Sequence, residues 1–197
     1  MQVALFDEMN RCSEAEVLRM IPLVSTQRRE QALRYKHTFG QFCCLQSWLM
    51  LAELLETSIS VAENFDKTPM KARSFVYNDY GKPSMPAAPE FSISHCREAI
   101  AVALDDHPVG IDVEGIRHAD PELIARTMNP AEQQFIRQAG NPERAFTRLW
   151  TRKEAVLKCQ GTGIASFEQL QTAIDRFDGK LQTFETEKYI YSIAYYG

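Results

Sequence analysis

Hydrophobic and polar positions alternate weakly over residues 2–6, the pattern of an opening strand, and then take up helical spacing. Ser13, with Glu16 three residues on, predicts a helix start; the helix runs to Met20 and stops at Pro22. Residues 25–56 read as a long helical region whose apolar stripe holds Leu45, Trp48, Leu49 and Leu55, with Gly40 as the point of a kink or division. Residues 57–73 show no clear period. Residues 74–77 form a strand pattern and 78–83 a turn, after which Pro83, Pro86 and Pro89 exclude regular structure. Three short strands are predicted at 90–93, 100–104 and 109–113, the last two as a hairpin about 105–108.

In the second half, Asp120-Pro121, Asn129-Pro130 and Asn141-Pro142 each set a capping side chain before a proline at the first helical position. The third of these helices runs to about Cys159 and ends at Gly161 and Gly163. Residues 181–185 and 189–195 close the chain as an antiparallel pair. This order predicts an α+β protein of two similar lobes, each a small antiparallel sheet packed on helices. The join falls near 95–100, giving lobes of 1–97 and 98–197, with the site in the cleft between them.

Composition narrows the class. The chain has 197 residues, 45% hydrophobic and 24% charged, ordinary for a folded soluble protein. A net charge of −4 argues against nucleic acid as a partner. A local run of basic residues from Arg117 to Lys158 reads either as solvated helix faces or as a surface for an acidic partner. The five cysteines lack metal-ligand spacing, and the first residues carry no secretory pattern. No apolar stretch is long enough to span a bilayer, so the expectation is a cytoplasmic, reduced protein.

Chemistry concentrates in Gly110-Ile111-Asp112-Val113-Glu114. On a strand, side chains at i and i+2 share a face, so Asp112 and Glu114 project together while Ile111 and Val113 turn to the core. Paired carboxylates need a cation, a proton or arginines beside them, and Mg²⁺ suits one or two carboxylates with substrate phosphates. By itself this spacing more often marks a solvated edge strand. Glu154 and Lys158 share a face of a helix whose other positions are largely apolar, a carboxylate and an ammonium fit for a metal and a phosphate. Phe91-Ser92-Ile93-Ser94-His95 ends a strand on a turn suited to an anion, His95 being the phosphate ligand. Lys82, between Gly81 and Pro83, is a further phosphate contact on a rigid turn.

In this order G-K-P, F-S-I-S-H, V-G-I-D-V-E and L-W-T-R-K-E-A-V-L-K-C-Q-G-T-G, spanning Gly81 to Gly163, the chain resembles 4′-phosphopantetheinyl transferases of the surfactin-synthetase-activating type. The resemblance implies two pseudo-symmetric lobes in a monomer, with coenzyme A as co-substrate. It also implies Mg²⁺, replaceable by Mn²⁺, on Asp112, Glu114 and Glu154. His95 and Lys158 would hold coenzyme A phosphates, with Ser94 and Lys82 nearby and Lys153 and Arg28 as further candidates. Glu154, Asp112 and Lys158 would form the catalytic set. The implied reaction moves phosphopantetheine to the serine of an acidic, helical acyl or peptidyl carrier protein. The N-terminal helix departs from the family at Gln41-Phe42-Cys43-Cys44, where an arginine is usual. Two rivals remain: an Mg²⁺-dependent hydrolase of nucleotide pyrophosphates, and a non-catalytic module binding coenzyme A or a carrier.

Overall fold

The computed structural model describes residues 1–59, 68–118 and 120–197, so much of the aperiodic stretch 57–73 lies outside the described residues. The chain is α+β. Its strands are β1 (Gln2–Phe6), β2 (Val76–Tyr77), β3 (Pro83–Ser84), β4 (Glu90–His95), β5 (Ile100–Asp105), β6 (Val109–Gly115), β7 (Lys180–Glu185) and β8 (Tyr189–Tyr195). The helices are α1 (Glu14–Met20), α2 (Thr26–Leu33), α3 (Thr38–Ile59), α4 (Pro121–Thr127), α5 (Pro130–Gln138), α6 (Pro142–Gln160) and α7 (Phe167–Thr172).

Two three-stranded antiparallel sheets, ordered β1-β5-β4 and β6-β8-β7, lie face to face between helices; β2 and β3 form a separate ribbon. Alternation in β5 builds this stack. Ile100, Val102 and Leu104 pack toward Phe42, Leu45, Trp48 and Leu51 of α3, whereas Ala99, Ala101 and Ala103 pack toward Ile111, Val113 and Ile193 of the second sheet. Small side chains on that face let the sheets approach closely. On the far side of the second sheet, α6 and α7 bury Ala155, Val156, Leu157 and Leu170 beside Ala194.

The expected hairpin between β5 and β6 does not form: β5 pairs with β1 and β4, and β6 pairs with β8. The link 106–108 instead carries the chain from one sheet to the other. The sequence pattern reveals two adjacent strands but not their partners, which long-range pairing decides. Two further expectations change. The long helical region divides at residues 34–37 rather than at Gly40, which sits in the first turn of α3 with the Tyr35 ring 2.7 Å from where its Cβ would stand. Pro83, expected to exclude regular structure, pairs with Tyr77 as the short edge strand β3, a position that needs no proline N–H.

The proline-headed helices begin where expected: Asp120, Asn129 and Asn141 each accept a backbone N–H from their own first turns. Asn129 and Glu132 complete a reciprocal capping box. At the other end of α6, Gly161 takes the left-handed conformation (φ 69°) and its N–H bonds back to Leu157 and Lys158. Among the described residues no helix is long and apolar enough to cross a membrane.

Candidate functional site

Gly110, Asp112 and Glu114 occupy alternate positions of β6 on the face that meets α6. A Cβ on Gly110 would stand 2.0 Å from the Ala155 carbonyl oxygen and 2.3 Å from the Cys159 nitrogen, so α6 runs directly over this glycine. That contact brings Glu154 and Lys158, one turn apart, to the strand's carboxylates.

Asp112 is only 4% exposed and sits at the centre. Its Oδ1 accepts from Lys158 Nζ at 2.7 Å and from Ser94 Oγ at 2.9 Å. Ser94 Oγ in turn accepts from Lys158 Nζ at 3.0 Å and from the Val113 N–H at 3.2 Å. Its neighbour Ser92 accepts the Ile111 N–H at 3.0 Å. The two serines, at i and i+2 of β4, thus cap the edge of β6 that β8 leaves bare. Asp112 Oδ2 is the one buried side-chain polar atom among the described residues with no hydrogen-bond partner.

Burial, and then the negative charge of Asp112, raise both neighbouring carboxyls; Glu154 is pushed up to about 7 although Lys158 opposes the shift. Three acids thus face Lys158 and the more distant charge of Arg117, and a buried oxygen is left bare. Among the described residues no three His, Cys, Asp or Glu side chains are assembled closely enough to hold a metal ion. The donor chemistry nevertheless fits a hard divalent cation: an unpartnered carboxylate oxygen flanked by two acids that a positive charge would help to ionise.

Two pockets open on either side. One, of about 270 Å³, is lined by Tyr80, Lys82, Phe91, Ser92, Glu154 and Lys158. The other, of about 390 Å³, is lined by Phe39, His95, Arg97, Glu98, Glu114 and Arg117. Lys82 reaches its pocket because Asn78 builds the turn beneath it. The Asn78 Oδ1 accepts the N–H groups of Tyr80 and Lys82, while its Nδ2 donates to the Gly161 carbonyl at 2.8 Å. His95 keeps an exposed ring face, yet desolvation and the cations Lys158 and Arg28 hold its pKa below the ordinary value.

The structure brings Asp112, Glu114, Glu154, Lys158 and Ser94 around one centre and sets His95 and Lys82 at its two flanking pockets, the Lys82 ammonium lying 3.3 Å from the Val109 carbonyl, 3.4 Å from the Cys159 carbonyl and 3.5 Å from Glu90; two further expected phosphate contacts lie elsewhere. Arg28 is buried on α2 and bonds to the Cys44 carbonyl, Ser47 and Gln31, with its guanidinium over Phe75. This tethers α2 to α3. Lys153 is 0% exposed, on the opposite side of α6 from the cleft, and its ammonium is spent on Glu132 and the Leu170 carbonyl. The apolar neighbours that marked α6 as packed also bury this lysine. Of the basic run, Arg126 pairs with Glu122, Arg144 and Arg148 both pair with Glu185, and Arg117 lies over Trp150. Asn78, Gly110 and Ser92 were missed as site-forming residues. The i, i+2 spacing of the two serines was a readable signal.

The sequence profile of the 4′-phosphopantetheinyl transferase superfamily matches residues 108–196, from the start of β6 to the end of β8. A 4′-phosphopantetheinyl transferase of Bacillus subtilis is 32% identical over 158 residues, covering 78% of this chain and 67% of its own length. The transferase Sfp of Bacillus subtilis (strain 168) is 28% identical over 157 residues, with the same coverage of each chain. AcpT of Salmonella typhi, another 4′-phosphopantetheinyl transferase, is 35% identical over 122 residues, 58% of each chain.

Proposed function

We infer the function from one premise: the chain belongs to the 4′-phosphopantetheinyl transferase superfamily. It is a transferase that takes the 4′-phosphopantetheine arm from coenzyme A and places it on a carrier-protein serine. The observation that carries the site assignment is the seating of α6 on Gly110, which sets Glu154 and Lys158 beside a buried Asp112 with one bare oxygen.

Asp112, Glu114 and Glu154 would hold Mg²⁺ or Mn²⁺, which when bound supplies positive charge to the pyrophosphate. Lys158, His95 and Lys82 bind and orient the coenzyme A phosphates, and Ser94 fixes the Lys158 ammonium. The serine oxygen bonds to the β-phosphorus, the bond to the 3′,5′-ADP oxygen breaks, and the serine proton passes to Glu154. In the metal-free site burial and Asp112 push the Glu154 carboxyl up to about 7, and a bound cation favours its ionised, proton-accepting form. The partner is an acidic, helical carrier protein, and the enzyme works as a cytoplasmic monomer of two lobes. Within this reading we take the lobes to meet at 106–108 rather than near 95–100, supported by the pairing of β5 with β1 and β4.

The decisive experiment incubates the protein with coenzyme A, Mg²⁺ and several apo carriers and weighs the products. A gain of one phosphopantetheine on a carrier is expected. Coenzyme A cleaved without a carrier would favour the pyrophosphate hydrolase, and unreacted coenzyme A with a bound carrier the non-catalytic module.

A further inference from the structure

Lys153 is the sole lysine or arginine among the described residues with no exposed surface. A lysine placed so deep has to be paired or lose its charge. Its Nζ lies 2.8 Å from Glu132 Oε2, donates to the Leu170 carbonyl at 2.7 Å and reaches the Gln171 carbonyl at 3.4 Å. The same Glu132 oxygen accepts the Asn129 N–H at 2.8 Å, closing the capping box at the start of α5. The Gln171 amide continues the tie, donating to the Ala125 and Arg126 carbonyls at 3.3 and 3.2 Å. One ammonium therefore joins the middle of α6 to the first turn of α5 and to α7, which is itself tied to α4.

We propose that Lys153 is a positioning residue for the transfer reaction: it fixes the rotation of α6 about its own axis and thereby aims the adjacent Glu154 into the cleft. Successive helical residues diverge by about 100°, so Lys153 anchored on one side leaves Glu154 pointing to another. A helix turned by about 20° would carry a carboxylate tip by about 2 Å, and misplacement of that order costs about 10²-fold in rate. The three oxygens around Nζ define a single setting. An apolar side chain there would slide.

This inference rests on the transfer reading, and its test separates the two. The double variant Lys153→Met/Glu132→Gln leaves no buried charge unpaired and keeps the back-bond of the capping box. Steady-state transfer to an apo carrier and amide hydrogen exchange of residues 153–159 are measured against the wild type. The expected result is a folded protein with kcat lowered about 10²-fold, the KM for coenzyme A within twofold, and faster exchange along α6. A KM raised tenfold with kcat retained would make Lys153 a phosphate ligand and overturn the proposal; unchanged kcat and unchanged exchange would make it a spectator. Should the double variant fail to fold, Lys153→Gln/Glu132→Gln, which keeps an amide donor near the Leu170 carbonyl and buries no charge, must show the same kcat loss in smaller measure. Should the wild type transfer nothing to any carrier, the transfer reading fails, while the exchange data still decide whether Lys153 holds α6.

Discussion

Lys158 neutralises one oxygen of Asp112 and leaves the other bare, so the lysine stands where an incoming divalent cation would compete with it. Removing the competitor has opposite effects on two measurable quantities. In Lys158→Gln, Mn²⁺ binding followed without coenzyme A should tighten, while transfer falls about 10²–10³-fold as one transition-state donor is lost. Weaker Mn²⁺ binding in that variant would remove Asp112 from the cation site. Glu154 gives the pH dependence. Its raised pKa means that the folded chain holds this proton more firmly than the unfolded chain does. In chelator, its contribution to stability is complete below about pH 4.5 and is lost as the pH rises through about 7. The melting temperature of the wild type should therefore fall between pH 5 and pH 8 more than that of Glu154→Gln; parallel curves would refute the shift. At this scale the sequence was most legible for Asp112 and Glu114, whose shared face follows from strand alternation. Lys153 was misread because W-x-x-K-E looks alike whether its lysine turns to the cleft or to the core.

Among the elements, α6 decides the site, and its bounds were readable from Asn141-Pro142 at one end and Gly161 at the other. Its placement was not. That depends on Gly110, a single missing side chain on a strand far away in sequence, which lets backbone meet backbone. In Gly110→Ala the new methyl meets main-chain atoms that cannot swing aside, so α6 must lift from β6. Overpacking of this kind costs about 1–3 kcal/mol, and the expected outcome is a lower melting temperature with transfer lost more severely than stability. A variant of wild-type activity would show that α6 is not held by this contact. The short helix α7 went unread even though Ser166 caps it through the Gln169 N–H, a spacing already used for α1. With only six residues it offers too little apolar period to be seen.

For the whole molecule, local pattern yielded the α+β class, while the contacts that join its sheets came only with the third dimension. β5 reads as a plain apolar run because it is buried on both faces, large residues toward α3 and alanines toward the second sheet. Nothing in such a run says that its next neighbour in sequence belongs to another sheet. The alanine face of β5 brings the sheets together, and the pair of serines on β4 bonds the β6 edge across the seam, helped by Tyr189 donating to Asp7 at 3.2 Å. A chain stitched in this way should unfold as one unit, in a single calorimetric transition. Ser92→Ala leaves the buried Ile111 N–H without its acceptor, at a cost of about 1–3 kcal/mol, and should shift that transition down without splitting it. Two resolved transitions in the wild type would mean that each half folds alone and that the serines only decorate the seam. A single transition unmoved by the substitution would mean that the alanine face of β5, and not the hydroxyls, joins the two sheets.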